Sequence, residues 1–274
     1  MRKIYKPSPF VLASTNTGAM ILNHLDYHKT PMGSYGVGYQ FLQTGGFDME
    51  EVSSVVALLN LCREYFGEGV VALDCGANIG AHTIEWSLEM LGWSGGGDCS
   101  GYAGSVIAFE AQERIYYALC GNIALNNCFN ARAIFGALGN PKKKGETLEI
   151  PNIDYTKPSS FGSLELKFDA CNEFIGQNID YGNTQKVPLI SIDSLELKRV
   201  DFIKIDVEKM ELEVLKGAEN TIAHCKPVLV IEVIKSDKEA IKMCLKEYEF
   251  FDFGMNLLCI SKSSPLLHHI KKNT

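Results

Sequence analysis

Three short stretches carry groups that can do chemistry. The first is Asp74-Cys75-Gly76-Ala77-Asn78-Ile79-Gly80. Gly76 and Gly80 let backbone approach a ligand without a Cβ in the way, and a helix opening near Ile79 would offer its free amides. Asp74 adds negative charge at the same place. A pyrophosphate would be repelled there, whereas a ligand bringing an ammonium and a sulfonium would be attracted. The second stretch is Val106-Ile107-Ala108-Phe109-Glu110. An acid closing such a strand can accept both hydroxyls of a ribose, although a surface acid capping the next helix would read the same way. The third is Lys204-Ile205-Asp206-Val207-Glu208, where a strand expected to be nearly all apolar carries charge.

In that third stretch, strand alternation puts Lys204 and Asp206 on one face and Ile203, Ile205 and Val207 on the other. A lysine inside a sheet is costly unless paired, so Lys204 should meet a carboxylate such as Asp74, Asp206 or Glu232. Asp206 stands at the strand's carboxyl end, where open parallel sheets bind ligands. Asp206, Glu208 and His82 are the candidate catalytic residues, each able to take a proton from a weak nucleophile. Their plainer readings are an ion pair at the sheet's mouth, a helix-start acid and a packed or backbone-bonded histidine. Asp193 is a weaker candidate. His24 and His28 lie four apart, a spacing that binds metal on a helix, but no further ligand accompanies them and a surface pair is the simpler reading. No residue is assigned to a metal. Tyr35, Tyr39, Phe41 and Phe47 could stack on a ligand from a lid or anchor the arm into a core.

What positions these groups is an alternation of strands and helices. Residues 1–47, rich in Gly, Ser, Thr, Asn and Tyr, suggest an irregular N-terminal arm or lid. Asp48 should cap a covering helix whose apolar positions run from Val52 to Tyr65 and which stops near Gly67 and Gly69. Strand 70–74, helix 79–91, loop 95–104, strand 105–110, helix 112–126 and strand 131–138 then require right-handed crossovers and a parallel sheet with helices on both faces. Residues 139–199 interrupt with β segments at 147–150, 163–168 and 186–190, an inserted β element over the sheet's edge or mouth. The rhythm resumes with strand 201–207, helix 211–223, strand 227–233 and helix 237–248. A C-terminal antiparallel hairpin, 250–253 with 257–261, closes the sheet. The organisation expected is an arm and covering helix over 1–69, an α/β domain over 70–261 and a solvated tail over 262–274.

Composition narrows the class. With 274 residues, 46% of them hydrophobic, the chain can bury a sizeable core. A formal net charge of -7 gives no general attraction for polyanions, so a nucleic-acid partner is disfavoured. Nine cysteines with no C-x-x-C pair are what reduced thiols of a cytoplasmic protein look like. The apolar run at 10–13 is too brief for a signal-peptide core, and the longest later runs fall far below the ~20 residues of a membrane span. A cytoplasmic protein without a membrane partner is expected; the number of subunits is not written in these features.

Taken in order, Asp74-x-Gly76-Ala77-Asn78-Ile79-Gly80-Ala81-His82-Thr83, Ala108-Phe109-Glu110 with Asn122 and Leu125-Asn126, and Phe202-Ile203-Lys204-Ile205-Asp206-Val207-Glu208 with Glu211-Leu212-Glu213-Val214-Leu215-Lys216-Gly217-Ala218 resemble the FkbM family of methyltransferases. The resemblance spans roughly residues 70–235. It implies a class I, Rossmann-like, doubly wound α/β sheet that binds S-adenosyl-L-methionine and methylates hydroxyl oxygens, often on sugars or natural products. By position it implies that Asp74, Gly76, Asn78 and Gly80 line the methionine end of the cofactor, that Glu110 holds the ribose, and that Ala137 or Leu138 lies near the adenine. The acceptor it implies is a small molecule or glycan. Amine or nucleic-acid acceptors are the alternative, although the Asn/Asp-Pro-Pro-Tyr/Phe motif of exocyclic amino methylation is missing. A nicotinamide-dependent oxidoreductase would want G-x-G-x-x-G, which is absent. A divalent metal could lower a hydroxyl's pKa, but no ligand pattern indicates one. One departure stands out: Lys209 follows Glu208 where the family usually has glycine, which leaves the shape of that turn open.

Overall fold

The structure, a computed structural model, describes residues 8–31, 33–93 and 103–273. All but the end of the glycine-rich loop expected at 95–104 lies outside the described residues. The arm is not irregular: it holds an antiparallel hairpin of β1 (Phe10–Ser14) and β2 (Ala19–Asn23), a smaller one of β3 (His28–Thr30) and β4 (Gly33–Tyr35), and helix α1 (Val37–Thr44). Its polar and glycine residues are turn chemistry, as where Thr15 N donates to Gly18 O at 2.8 Å. Met20, Leu22 and Phe41 bury against the domain. Asn122 and Asn126 clamp β2 to the helix they stand on. Asn122 Oδ1 accepts from Ile21 N at 2.6 Å, and Asn126 Oδ1 accepts from Ala19 N at 3.2 Å while its Nδ2 donates to Ala19 O at 2.9 Å. His24 follows β2 and His28 opens β3, so no helix aligns them.

Helix α2 (Met49–Phe66) begins at Asp48, whose Oδ1 accepts from Glu51 N at 3.2 Å, as its capping role requires. Then follow β5 (Val70–Cys75), α3 (Ala81–Trp93), β6 (Gly104–Glu110), α4 (Glu113–Leu125) and β7 (Ala131–Phe135). Residues 131–138, expected as one strand, divide at Gly136, whose N makes the last rung to Glu110 O at 3.0 Å. Beyond it, β8 (Ala137–Leu138) leaves to form a second sheet with β9 (Thr147–Pro151) and β10 (Thr184–Ile190), in the order β8-β10-β9. This is the insert. Residues 163–168 are not a strand in it: they follow a 3-10 turn at Phe161–Ser163, and Leu164, Glu165 and Leu166 are all buried without a ladder partner.

The domain resumes with β11 (Phe202–Ile205), α5 (Glu211–Lys216), α6 (Glu219–Cys225), β12 (Val228–Glu232), α7 (Lys238–Cys244), β13 (Tyr248–Phe253), β14 (Asn256–Ser261) and α8 (Leu266–Asn273). The single helix expected over 211–223 is two, because Asp193 captures the amides that open the second: its Oδ1 accepts from Thr221 N at 2.8 Å and its Oδ2 from Asn220 N at 3.0 Å. That is a structural duty for Asp193. Of the solvated tail expected over 262–274, Leu266–Asn273 form a docked helix instead. Leu266 and Ile270, four apart and buried, dock α8 into the cluster that holds Val55 and Leu59 of α2.

The main sheet runs β7-β6-β5-β11-β12-β14-β13, with every pairing parallel except those of β14. This is the doubly wound, mostly parallel architecture with a closing antiparallel hairpin. Alternate residues feed two cores, Val70 and Ala72 packing with Trp86 and Met90 on one face, Leu73 and Cys75 with Val214 and Ile222 on the other. The strand order reverses between β5 and β11, which opens a crevice beyond their carboxyl ends. Among the described residues no helix is long and apolar enough to cross a membrane, the eight cysteines are free thiols, and no three His, Cys, Asp or Glu groups gather as a metal site.

Candidate active site

The crevice is a narrow cleft with a free volume of about 50 Å3. On its walls are Gly76, Asn78, Glu110, Leu138, Asp206 and Glu208, six of the nine candidate residues. The turn after β5 meets the turn after β11 so closely that a Cβ on Gly76 (φ 89) would sit 1.8 Å from Asp206 O. Asn78 also has positive φ, 51, which asparagine tolerates better than most. Its Oδ1 accepts from Ile79 N at 2.8 Å, and its N donates to Glu110 Oε2 at 3.0 Å. Glu110 Oε1 accepts from Gln112 N at 2.7 Å. Burial pushes the Glu110 carboxyl up to about 7, against the pull of those amides.

Asp74, Gly80 and His82 stand behind the cleft and not on its wall. Asp74 is 2% exposed and accepts from Thr83 Oγ1 at 2.5 Å, so it ties β5 to the first turn of α3. Gly80 faces α4, where a Cβ would meet Leu119 Cδ1 at 2.7 Å. His82 is buried between Phe47 and Trp86, its ring 6.3 and 5.4 Å from theirs, with Nε2 3.2 Å from Glu51 Oε1 but poorly aligned for a hydrogen bond. Alternation explains this: Asp74 shares a face with Ala72, toward α3.

Lys204 is paired as its burial demands. Its Nζ lies 2.7 Å from Asp206 Oδ2 and 3.8 Å from Glu51 Oε1. Burial works against its charge, but Asp206, then Glu51 and Asp74, outweigh it and lift its pKa above the ordinary lysine value. Glu51 also accepts from Asn256 Nδ2 at 3.0 Å. Although burial opposes it, contact with His82 and Lys204 holds the Glu51 carboxyl down at about 2.

On the open side of Asp206 the backbone turns through Glu208 (φ 51) and Lys209 (φ 70), so the position where the family usually has glycine does adopt the conformation glycine favours. Glu208 Oε2 is 2.8 Å from Lys235 Nζ, which reaches Glu173 Oε2 at 2.7 Å; Tyr35 OH donates to Glu173 Oε1 at 2.7 Å. Arm, insert and sheet rim are thus tied at one point. Burial, then Asp206, pushes the Glu208 carboxyl up to about 8 in spite of Lys235. The same two causes raise Glu232 to about 7; its Oε1 accepts from Ile234 N at 3.0 Å, and its buried Oε2 has no hydrogen-bond partner among the described residues.

Sequence reasoning missed Glu51, Gln112, Glu173 and Lys235. Glu51 stands three residues after the Asp48 cap, where a glutamate reads as a capping-box residue; the signal that it does more is the lysine inside β11, which demands carboxylate partners. Gln112 caps α4 by position but fastens the insert, its Nε2 donating to Phe161 O at 2.8 Å. Asp26 holds the same wall, accepting from Phe161 N at 3.0 Å and Gly38 N at 2.9 Å. Nothing in the sequence signals Glu173 or Lys235, whose pairing depends on where the insert lands.

Among solved structures, the methyltransferase FkbM from Methylobacillus flagellatus KT is similar at 17% identity and TM-score 0.43 over 78% of this chain. This chain spans 56% of the length of that protein. M. jannaschii TYW2 in complex with AdoMet is similar at 13% identity and TM-score 0.42, over 94% of this chain and 86% of that one. Trm5b from Pyrococcus abyssi is similar at 13% identity and TM-score 0.43, over 93% and 56% of the two chains. No curated protein matches the sequence. The methyltransferase FkbM domain matches residues 74–258, from the last polar residue of β5 to the middle of β14 and across both touching turns, and the chain belongs to that family.

Proposed function

We propose that the cleft binds S-adenosyl-L-methionine and that the chain transfers its methyl group to a hydroxyl oxygen of a sugar or other small hydroxylated metabolite. One observation carries this reading: among the described residues the cleft wall holds three carboxyl groups, Glu110, Asp206 and Glu208, and no lysine or arginine. Such a wall offers no cation to hold the phosphates of a dinucleotide and suits a cationic nucleoside better. Between the acids lies an apolar stretch that includes Leu138, Leu164 and Met210, suited to an adenine. The donor set fits the cofactor in kind: Glu110 would accept the ribose hydroxyls, Leu138 would flank the base, and Asp206 would face the sulfonium and ammonium. The cleft's 50 Å3 is well under the roughly 300 Å3 of a small-molecule pocket, so its walls must part for binding.

When bound, the cofactor would supply an electrophilic methyl group, with its sulfur as the leaving atom that keeps the electron pair of the broken bond. The residues of the chain do the rest. Glu208 takes the hydroxyl proton, its raised pKa placing it near the working pH of a general base. Lys204 holds Asp206 in place, its Nζ 2.7 Å from Asp206 Oδ2. His82 reaches Asp206 only through Glu51 and Lys204, which makes it a support and not a base.

Titration calorimetry with S-adenosylmethionine and with NAD tests the first half. Binding of the former alone is expected, and its absence would sink the proposal. Screening glycan and metabolite pools with a methyl-labelled donor tests the second half; label that enters only amines or nucleic acid would favour the alternative acceptor.

A further inference from the structure

Beside the cleft lies a second hollow of about 450 Å3, between the insert and the turn after β11. Glu165, Lys167, Phe168 and Asp169 form one side and Glu208, Lys209 and Met210 the other. Glu208 and Met210 also belong to the cleft wall, so the two spaces adjoin across these residues.

Three features set this hollow apart from an ordinary surface groove. Phe168 is 74% exposed, an unfavourable place for a large aromatic ring in water. It is nevertheless held: its ring packs edge-on against Tyr181 at 5.5 Å, and the Tyr181 hydroxyl donates to Glu165 O at 3.0 Å while accepting from Asn172 Nδ2 at 2.6 Å. The second feature is strain. Glu208 and Lys209 are the only successive non-glycine residues with positive φ among the described residues. Strain of this kind persists only where surrounding contacts impose it, and it clusters at ligand clamps. Here the contact is Lys209 Nζ at 2.8 Å from Glu165, a carboxylate of the insert that is itself 2% exposed. The third is polarity beside the ring: Asp169 is more than half exposed although Lys209 Nζ comes within 3.7 Å of it, and Lys167 stands on the same wall.

We propose that this hollow is the acceptor subsite and that Phe168 is its specificity-determining residue, taking a pyranoside whose C–H face lies on the Phe168 ring. Asp169 and Lys167 receive its outer hydroxyls, and one hydroxyl reaches Glu208, the residue both spaces share. A sugar matches this wall better than a flat aromatic acceptor does, because the groups around the ring are hydrogen-bonding charges and not a second apolar face. The proposal rests on the methyl-transfer reading, and the experiment separates the two.

The measurement is saturation-transfer NMR with methyl β-D-glucopyranoside as the probe, on the full chain with S-adenosylhomocysteine present so that nothing turns over. Calorimetry first gives the S-adenosylhomocysteine affinity of each protein. Phe168→Ala should weaken the probe about tenfold, the loss expected when a central aromatic anchor is removed. S-adenosylhomocysteine affinity should be unchanged, and Phe168→Tyr should restore probe binding. Lys226→Ala, on the opposite rim of the sheet, should leave probe binding as it was. Probe binding that is equal in the wild type and Phe168→Ala, or absent from the wild type while S-adenosylhomocysteine binds, overturns the subsite. Probe binding that depends on Phe168 without any S-adenosylhomocysteine binding keeps the subsite and overturns the methyl-transfer reading.

Discussion

The turns that leave β5 and β11 touch across the switch point yet follow opposite plans. In the first, positive φ falls on Gly76, Asn78 and Gly80, residues that adopt it at little cost. Its acid, Asp74, is buried and satisfied by Thr83. In the second, positive φ falls on Glu208 and Lys209, at roughly 1–2 kcal/mol each. Its acids crowd one another on the cleft wall and are held by Lys204 and Lys235. A relaxed turn can be fixed by packing alone, whereas a strained and charged one persists only while its partners hold it. Changes in the first should therefore appear mainly in folding, and changes in the second in protonation and chemistry.

The sharpest way to break this comparison is Gly76→Ala. With a Cβ 1.8 Å from Asp206 O on a positive-φ backbone, we expect a loss above about 3 kcal/mol in chemical denaturation; a loss under about 1 kcal/mol would mean the turns are not locked together. Lys204→Met comes next. It leaves the buried end of Asp206 and Glu51 without their cation, and about 3 kcal/mol of destabilisation is expected. Asp74→Ala should cost about 1–2 kcal/mol by orphaning Thr83. Because Asp74 is off the cleft wall, S-adenosylmethionine affinity should fall less for Asp74→Asn than for Glu110→Gln, a contrast calorimetry reads directly.

The pH dependence sharpens the second half. Glu110, Glu208 and Glu232 have folded pKa values of about 7, 8 and 7, all above the ordinary 4.5. Between those limits the folded chain keeps protons that the unfolded chain has released, so stability should be greatest near pH 5 and decline toward pH 8. Glu208→Gln should flatten that decline, and Gly76→Ala should leave its slope unchanged. The methyl-transfer rate should rise through about pH 8 as Glu208 ionises. The smallest effect belongs to Lys209→Gly. Relief of the backbone offsets the lost pairing with Glu165, and a stability change within about 1 kcal/mol is expected.

How far the sequence reveals this architecture depends on whether a signal is local. The order of strands and helices was legible because period and turn residues are local, and Asp48 and Gly67 mark ends that the structure keeps. The break at Gly136 and the division of α5 from α6 were not, since each depends on a partner far along the chain, β10 in one case and Asp193 in the other. In the cleft, residue types placed Glu110, Asp206 and Glu208 on the wall, and the family resemblance added Leu138. The same reasoning gave Asp74, Gly80 and His82 to the ligand, although the first and last are charged or polar for the sake of neighbours in the core. A sequence shows that a carboxylate is present; which way a strand turns it is decided by register.

The asparagine clamp on β2 bears on how the chain tolerates being cut or extended at its beginning. An open strand edge invites pairing with another molecule, and Asn122 and Asn126 cover β2 by imitating a neighbouring strand from the flank of a helix. A slip of one residue would break these contacts together and expose Met20 and Leu22. A protein shortened past Asn23 would then uncover two amide side chains and an apolar groove along α4 at once, and should betray itself by self-association before any loss of the sheet.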